Sequence, residues 1–464
     1  MGKFFGTDGI RGIPWDFPFT PVFLRKIGYC SAYAIKKRGA RKGRVCIGVD
    51  SRESGRKIKK LMAEGISANG FGVVDVGIVT TPCLAYVTKK EKAPFGIMIS
   101  ASHNPPEFNG IKIFSSNGKK ISDSLENEIE KMLESDFQPA RARKKAGKPL
   151  KKDFSGEYAD YVLSTLPGGF SLKGVKICLD CSNGGGYRIA PEIFRRLGAE
   201  LALLGNSPDG KNINKNCGAL DTERMREKTR TSKAFCGISL DGDGDRCILS
   251  DEKGGLFDGD DIIALLAVYF KGKKWLNGSK AVLTVMSNYG LLKYLKRKGI
   301  GAVQVSVGDK NVTDAIDNER LSLGGEASGH IIIRKFAPSG DGVLSSLWTL
   351  CAALSTGKKL GEIKKNWKRY PQKLKAIKVE KKTEIEKIPG FSDKVREFEK
   401  LVKGRIFVRY SGTEPLLRIL VEGEDEKGVD RAAEEIAAHY VSHAGKKDKE
   451  TGIRHKAIIS GKGA

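Results

Sequence analysis

Short apolar runs alternate along the chain with stretches whose apolar residues recur at helical spacing. Pro21 to about Lys37 reads as a helix, and Arg44 to Asp50 as a strand. Ile58, Leu61, Met62 and Ile66 then mark one helical face, and Gly72 to Val76 is a further strand. Pro82 is expected to open a short helix, since its missing N–H costs nothing at a first helical position. Phe95 to Ile99 is strand-like and delivers the chain to a polar loop, after which Ile111 to Phe114 resumes the sheet. Beyond a basic segment the rhythm restarts, with strands at Val175 to Leu179 and Leu201 to Leu204 around a helix at Ile189 to Leu197. A third round runs from Asp258 to about Leu354, with strands at Ala281 to Val285 and Val303 to Val307. From Lys373 to about Gly445 the pattern changes. A hairpin-like pair, Arg405 to Arg409 and Leu417 to Val421, precedes a helix over Gly428 to His443, which suits a smaller α+β domain. No sequence repeat is strong enough to show that the first three regions share ancestry.

A chain of 464 residues is too long for one core and implies three or four domains. Its 56 glycines and alternating elements favour α/β architecture. The N-terminus lacks a basic start followed by an apolar core. The longest apolar stretch, around Ile262 to Phe270, is far shorter than the ~20 residues a membrane span needs, so a cytoplasmic protein is expected. Nine cysteines are scattered rather than arranged as a disulfide framework. Cys178 and Cys181 form a CxxC, but inside an apolar strand and without a second pair to complete a zinc site. The formal charge of +27 raises nucleic-acid binding as an alternative. The charge is nevertheless spread out, and its two concentrations, Ala140 to Lys152 and Gly445 to Ala464, read as solvated linker and disordered tail. A phosphorylated small substrate would also favour a positive cleft.

Four loops carry candidate chemistry. Ile99-Ser-Ala-Ser-His-Asn-Pro-Pro-Glu-Phe-Asn-Gly-Ile-Lys-Ile-Phe114 is rich in small residues, which would let a serine hydroxyl stand exposed. A phosphoryl group there would add about −1.5 to −2 charge, for His103 and Lys112 to balance. An ordinary Ser/Asn/Pro turn has the same composition. In Leu240-Asp-Gly-Asp-Gly-Asp-Arg-Cys247, glycines let Asp241, Asp243 and Asp245 converge, and three clustered carboxylates call for a hard dication. Arg246 could hold a phosphate oxygen beside them. An EF-hand would need glycine where Arg246 stands, and helical flanks where these look like strands. Gly324-Gly-Glu-Ala-Ser-Gly-His330 offers a carboxylate, a hydroxyl and an imidazole suited to sugar hydroxyls or an amino group; a glycine-rich turn with a structural histidine is the plainer reading. Arg409-Tyr-Ser-Gly-Thr-Glu-Pro-Leu-Leu-Arg418 sets two arginines around a turn able to form an anion nest, and is not a P-loop.

Together with Phe5-Gly-Thr-Asp-Gly-Ile-Arg-Gly12, Asn109-Gly-Ile-Lys112 and Ser411-Gly-Thr-Glu-Pro415, these loops resemble in order and spacing the α-D-phosphohexomutase superfamily, over about Lys3 to His443. Within it they resemble most the bacterial branch acting on glucosamine phosphates. The resemblance implies three related mixed-sheet α/β domains (1–150, 151–255, 256–368) and a C-terminal α+β domain (369–445) around a central cleft, followed by the tail (446–464). It makes Ser102 a phosphoserine, primed by a sugar bisphosphate or by phosphorylation. It makes Asp241, Asp243 and Asp245, with Ser102, the ligands of one Mg²⁺. Arg11, His103, Lys112, Arg246 and His330 would serve catalysis, with acid and base unassigned among Lys112, His103 and His330. Glu326 and Ser328 would contact the sugar, while Arg409, Ser411, Gly412, Thr413 and Arg418 would clamp the non-reacting phosphate. The implied reaction interconverts glucosamine 6-phosphate and glucosamine 1-phosphate through a sugar bisphosphate, feeding UDP-N-acetylglucosamine and peptidoglycan precursor synthesis.

Such a protein takes a hexosamine phosphate, needs no membrane or nucleic acid, and admits a homodimer. Phosphomannomutase or phosphoglucomutase activity and a mutase-like scaffold without activity are the alternatives within this resemblance. Asn212-Ile-Asn214 with Cys217-Gly-Ala219 fits the glucosamine branch. Two features depart from it: Gly308-Asp-Lys-Asn-Val312 replaces the usual Gly-Asp-Arg-Tyr-Val, and Ala327 replaces a larger polar residue.

Overall fold

A computed structural model describes residues 3–6, 8–40, 43–135, 148–380, 382–411, 415–444 and 458–459. They fall into two units, 1–286 with 298–366, and 287–297 with 367–464. The first unit carries three sheets. In the first sheet β1 (Phe5–Gly6), β2 (Gly9–Gly12), β3 (Arg44–Val49), β4 (Gly72–Ile78), β5 (Phe95–Ile99), β6 (Asn109–Ser115) and β7 (Leu150–Lys151) lie in the order β1-β2-β6-β5-β3-β4-β7. Its helices are α1 (Pro21–Lys37), α2 (Gly55–Ser67), α3 (Thr81–Lys90) and α4 (Asp123–Glu134). The second contains α5 (Ser155–Ser164), β8 (Lys176–Asp180), α6 (Ile189–Arg196), β9 (Glu200–Leu204), α7 (Glu223–Thr231), β10 (Cys236–Leu240), β11 (Cys247–Ser250) and β12 (Leu256–Phe257), in the strand order β12-β11-β10-β8-β9. The third contains α8 (Gly259–Gly272), β13 (Lys280–Thr284), β14 (Gly301–Val305), β15 (Leu323–Gly325) and β16 (Ile331–Ile333), in the order β14-β13-β15-β16. Between these strands run α9 (Tyr289–Arg297), which belongs to the second unit, and α10 (Asp309–Asn318); α11 (Gly342–Ser355) and α12 (Leu360–Ile363) follow.

One pairing pattern recurs in all three sheets. β3, β8 and β13 each pair in parallel with two neighbours: β4 and β5, β9 and β10, β14 and β15. β5, β10 and β15 then turn back antiparallel into β6, β11 and β16. The repeat that the residues do not show is therefore present in topology. It gives the three turns one structural address, at the carboxyl ends of the parallel strands, where α/β sheets bind their ligands. β5 and β10 are buried at every position, as strands covered on both faces should be.

The signals at helix starts are realised, with one adjustment. Thr80 caps α3 by accepting from Cys83 N at 3.2 Å, so Pro82 stands second rather than first in that helix. α8 starts with a capping box between Asp258 and Asp261. Among the described residues no helix is long and apolar enough to cross a membrane. The CxxC cysteines are both buried, Cys178 within β8 and Cys181 just after it.

The second unit has an antiparallel sheet of β17 (Gln372–Lys378), β18 (Arg405–Tyr410), β19 (Leu416–Glu422) and β20 (Ile458–Ile459), in the order β18-β19-β17-β20. Helices α13 (Phe391–Val402) and α14 (Glu426–Ala444) cover it, with Phe391, Phe398, Leu417, Ile419 and Ile436 in the core. The segment leading into α9 is tied to this unit by Asn288 Nδ2, which donates to Tyr370 O at 3.0 Å, and by Tyr289 N, which donates to the buried Glu422 at 3.1 Å. Apart from Ile458 and Ile459, the tail expected to be disordered lies outside the described residues, as does most of the basic linker.

The closest helix contact in the first sheet's layer depends on glycine. A Cβ on Gly65 of α2 would sit 2.1 Å from Arg25 O of α1, and one on Gly28 would sit 2.4 Å from Met62 O. Backbone cannot yield as a side-chain tip can. Gly65→Ala is expected to cost about 1–3 kcal/mol by overpacking, read as a lower denaturation midpoint; an unchanged midpoint would show that these helices are free to separate.

Candidate active site

The carboxylate loop is held first by its backbone. Three consecutive carbonyls, of Gly242, Asp243 and Gly244, accept from Gly185 N at 2.8 Å, Thr81 N at 2.8 Å and Gly342 N at 3.0 Å. Thr81 and Gly342 are the first residues of α3 and α11, so the loop satisfies amide groups that a helix start leaves without internal partners. Both helices also present their positive dipole ends to an anionic loop.

This frame brings the three sheet turns together. Ser102 lies after β5, and its Oγ donates to Asp241 Oδ2 at 2.6 Å in the turn after β10. The hydroxyl is not exposed, as the small neighbours had suggested; Ser102 is 0% accessible. The hydroxyl faces inward, where the buried Asp241 carboxylate accepts it. His103 Nδ1 lies 3.2 Å from the same Oγ. Burial, with Arg246 and Arg11 nearby, lowers the His103 imidazole to about 4.

Asp241, Asp243 and Asp245 are all buried, with candidate ligand oxygens within 4.8 Å of one another. Arg246 N donates to Asp241 Oδ1 at 3.2 Å, and Thr81 Oγ1 to Asp243 Oδ2 at 2.5 Å. Lys112, 1% exposed, reaches Asp243 at 2.9 Å, Asp8 at 3.0 Å and Asp245 at 3.3 Å. Burial opposes charge on Lys112, yet these carboxylates outweigh it and hold the ammonium well above its usual range. Burial, then Asp245 and Asp243, push the Asp241 carboxyl up, as crowded like charges must. Asp243 Oδ1 and Asp245 Oδ1 are buried without a hydrogen-bond partner among the described residues. Two such oxygens beside a third carboxylate and a serine oxygen fit a small, hard dication.

The turn after β15 supplies His330 and Glu326. His330 Nε2 accepts from Gly340 N at 3.2 Å, which leaves the proton on Nδ1, 3.7 Å from Asp245 Oδ1. Glu326 is buried and accepts from Gly308 N at 3.0 Å, and Ser328 Oγ lies 3.5 Å from its other oxygen. Arg11 donates to Asn104 Oδ1 at 2.7 Å and pairs with Asp8 at 2.5 Å. Burial works against ionisation of Asp8, but Lys112, Lys120 and Arg11 hold its carboxyl below the usual carboxylate range. Lys120 joins Asp8 to Asp309. Lys310, the departure in that segment, pairs with Asp123 and, at 3.3 Å, with Glu126 on α4.

In the second unit Arg409 and Arg418 stand directly opposite each other across β18 and β19. Like charges so placed repel, and an anion between them would relieve it. Ser411 is buried, and its carbonyl accepts from Lys382 Nζ at 2.7 Å. Gly412 and Thr413 lie outside the described residues. The first unit thus gathers Ser102, His103, Lys112, Arg11, Arg246, His330, the three aspartates, Glu326 and Ser328. The second holds Arg409, Ser411 and Arg418. Sequence reasoning missed Asp8, Arg52, Thr81, Lys120, Asn214 and Lys382. Two of them had a signal: Asp8 in the opening glycine-rich motif and Asn214 in Asn212-Ile-Asn214, each without a role assigned to it.

Four family descriptions match the chain: phosphoglucomutase/phosphomannomutase α/β/α domain I over 2–140, domain II over 157–255, domain III over 258–370 and the C-terminal domain over 372–439. A phosphoglucosamine mutase of Bdellovibrio bacteriovorus is 42% identical over 445 residues, covering 94% of this chain and 97% of its own. One from Cereibacter sphaeroides is 40% identical over 438 residues, covering 94% and 98%. Among solved structures, a phosphoglucomutase/phosphomannomutase family protein from Burkholderia thailandensis shares the fold with a TM-score of 0.77 at 21% identity, covering 95% of this chain and 97% of its own. Aspergillus fumigatus N-acetylphosphoglucosamine mutase, in complex with GlcNAc-6P and magnesium, does so with a TM-score of 0.66 at 18% identity, covering 95% of each. Matched in all four domains and by relatives along nearly its whole length, the chain belongs to the phosphoglucomutase/phosphomannomutase family.

Proposed function

We propose that this chain interconverts glucosamine 6-phosphate and glucosamine 1-phosphate, with Ser102 as the carrier of the transferred phosphoryl group. The observation that carries the mechanism is the contact of Ser102 Oγ with Asp241 at 2.6 Å, beside two carboxylate oxygens that accept no hydrogen bond among the described residues. The choice of glucosamine rests on relatives about 40% identical that are named phosphoglucosamine mutases.

Ser102, primed by a sugar bisphosphate or by phosphorylation, donates its phosphoryl group to a sugar hydroxyl. The bond from phosphorus to Ser102 Oγ breaks, one to the sugar oxygen forms, and the hydroxyl proton passes to a base. The bisphosphate reorients, and the other phosphate returns to Ser102. Asp241, Asp243 and Asp245, with a Ser102 oxygen, would hold one Mg²⁺, which when bound neutralises charge on the phosphoryl oxygens. Arg246 and Lys112 add fixed positive charge among buried carboxylates, where low polarizability makes it count most. Arg11 orders the nucleophile loop through Asn104. His103 is the acid/base candidate in reach of Ser102 Oγ, at 3.2 Å. Glu326 and Ser328 suit the sugar, its amino group included. Arg409, Ser411, Gly412, Thr413 and Arg418 suit the phosphate that does not react. Lys310 is engaged by α4, so its departure from the glucosamine-branch pattern need not alter sugar choice.

Turnover of glucosamine 6-phosphate, glucose 1-phosphate and mannose 1-phosphate, with Mg²⁺ and a bisphosphate primer, tests the substrate. kcat/KM is expected to be highest for glucosamine 6-phosphate; a preference for glucose or mannose would move the protein to another branch of its family. Asp243→Asn is expected to cut turnover by about 10²–10³-fold and to raise the Mg²⁺ concentration giving half-maximal rate. An unchanged metal response in that variant would remove the carboxylate loop from the mechanism.

A further inference from the structure

Ser102 sits in the left-handed region, at φ 51°. A non-glycine residue keeps that conformation only where its surroundings over-determine it. The carbonyls of Ser102 and Asn104 each accept two hydrogen bonds, filling both lone pairs. Arg52 Nη2 supplies one to each, at 3.1 and 2.7 Å. Asn214 Nδ2 supplies the other to each, at 2.8 and 2.9 Å.

The two donors come from different layers. Arg52 follows β3, pairs with Asp50 at 2.9 Å, and both side chains are fully buried. It also donates to Phe108 O at 2.9 Å and to Pro105 O. Asp50 in turn accepts from Ser100 Oγ at 2.6 Å, and that oxygen accepts from Ser102 N at 2.9 Å. Residue 102 is therefore tied at its amide and at its carbonyl. Asn214 comes from the second sheet's connection between β9 and α7, with its own φ at 57° and its N–H on Ser182 O at 2.9 Å. The carboxylate loop closes over both, since a Cβ at Gly242 would lie 2.5 Å from Ser102 O and 2.9 Å from Asn214 Nδ2.

We propose that Asn214 is a positioning residue for Ser102, acting with Arg52 as a clamp on the two loop carbonyls that keeps Ser102 Oγ facing the carboxylate loop. This rests on the reading of Ser102 as phosphoryl carrier. In that reaction Ser102 alternates between free and phosphorylated forms within each cycle. A backbone free to relax after either half would misplace the oxygen, and a displacement of about 1 Å can cost about 10²-fold in rate.

Arg52 is a poor probe, because its removal leaves Asp50 buried and unpaired and endangers folding. Asn214→Gly is the better one. Glycine adopts the same left-handed backbone freely and deletes both donors. The expected result is a kcat lower by about 10–10²-fold, with KM and melting temperature near those of the wild type, and residue 102 displaced from the left-handed region in a crystal structure of the variant. A kcat equal to that of an active wild type, or a loss lying wholly in KM, would overturn the clamp. If the wild type turns over no hexose phosphate, the proposed function falls. The backbone at residue 102 in the variant crystal then decides the clamp by itself: retained, it is refuted; displaced, it stands.

Discussion

Three carboxyl groups crowded together out of water are the constraint around which this protein is arranged. Asp241, Asp243 and Asp245 repel one another, and burial deepens the cost of every unpaired charge. What surrounds them is compensation of several kinds. Lys112 brings an ammonium to two of the three, Thr81 and Ser102 bring hydroxyl donors, and Arg246 brings its amide. Beneath them, the starts of α3 and α11 and the amide of Gly185 hold the loop's own carbonyls. Asp243 Oδ1 and Asp245 Oδ1 still accept no hydrogen bond among the described residues, although His330 Nδ1 lies 3.7 Å from the latter, and that residual deficit is what a dication would fill.

The same constraint explains why three sheets are needed. Each sheet places one turn at the carboxyl end of a strand that is parallel on one side and antiparallel on the other. One turn carries the serine, one the carboxylates and one Glu326 with His330. Because the address is common, a single chain can present three chemistries to one place without a long excursion from any sheet. Close backbone approaches lock the turns together: a Cβ on Gly329 would lie 2.2 Å from Cys247 O, and one on Gly242 would lie 2.5 Å from Ser102 O.

The loops were legible because each concentrates its chemistry within a few residues. Asp241-Gly-Asp-Gly-Asp245 announces converging carboxylates by itself, and the two arginines of the last loop, Arg409 and Arg418, form a cross-strand pair. Residues that act at a distance were not legible. Thr81 reads as a helix-start threonine, and Arg52 as one cation among 82. Their partners lie in remote segments, and no local pattern marks them. The exposure of Ser102 was misjudged for a related reason: small neighbours permit exposure, but a carboxylate from another sheet decides it. Elements without an apolar stripe also escaped notice. α7, Glu-Arg-Met-Arg-Glu-Lys-Thr-Arg-Thr, buries only Met225 and Thr229.

The central claim is that Ser102 gives a phosphoryl group to one position of the sugar and takes one back from the other. The most direct measurement labels the protein with glucose 1,6-bisphosphate bearing radioactive phosphate, maps the label by peptide, and chases it with glucosamine 6-phosphate. The account predicts label on the peptide containing Ser102, released by the chase as sugar phosphate and absent from Ser102→Ala. Label on another residue, or label on Ser102 that the chase leaves in place, would contradict it.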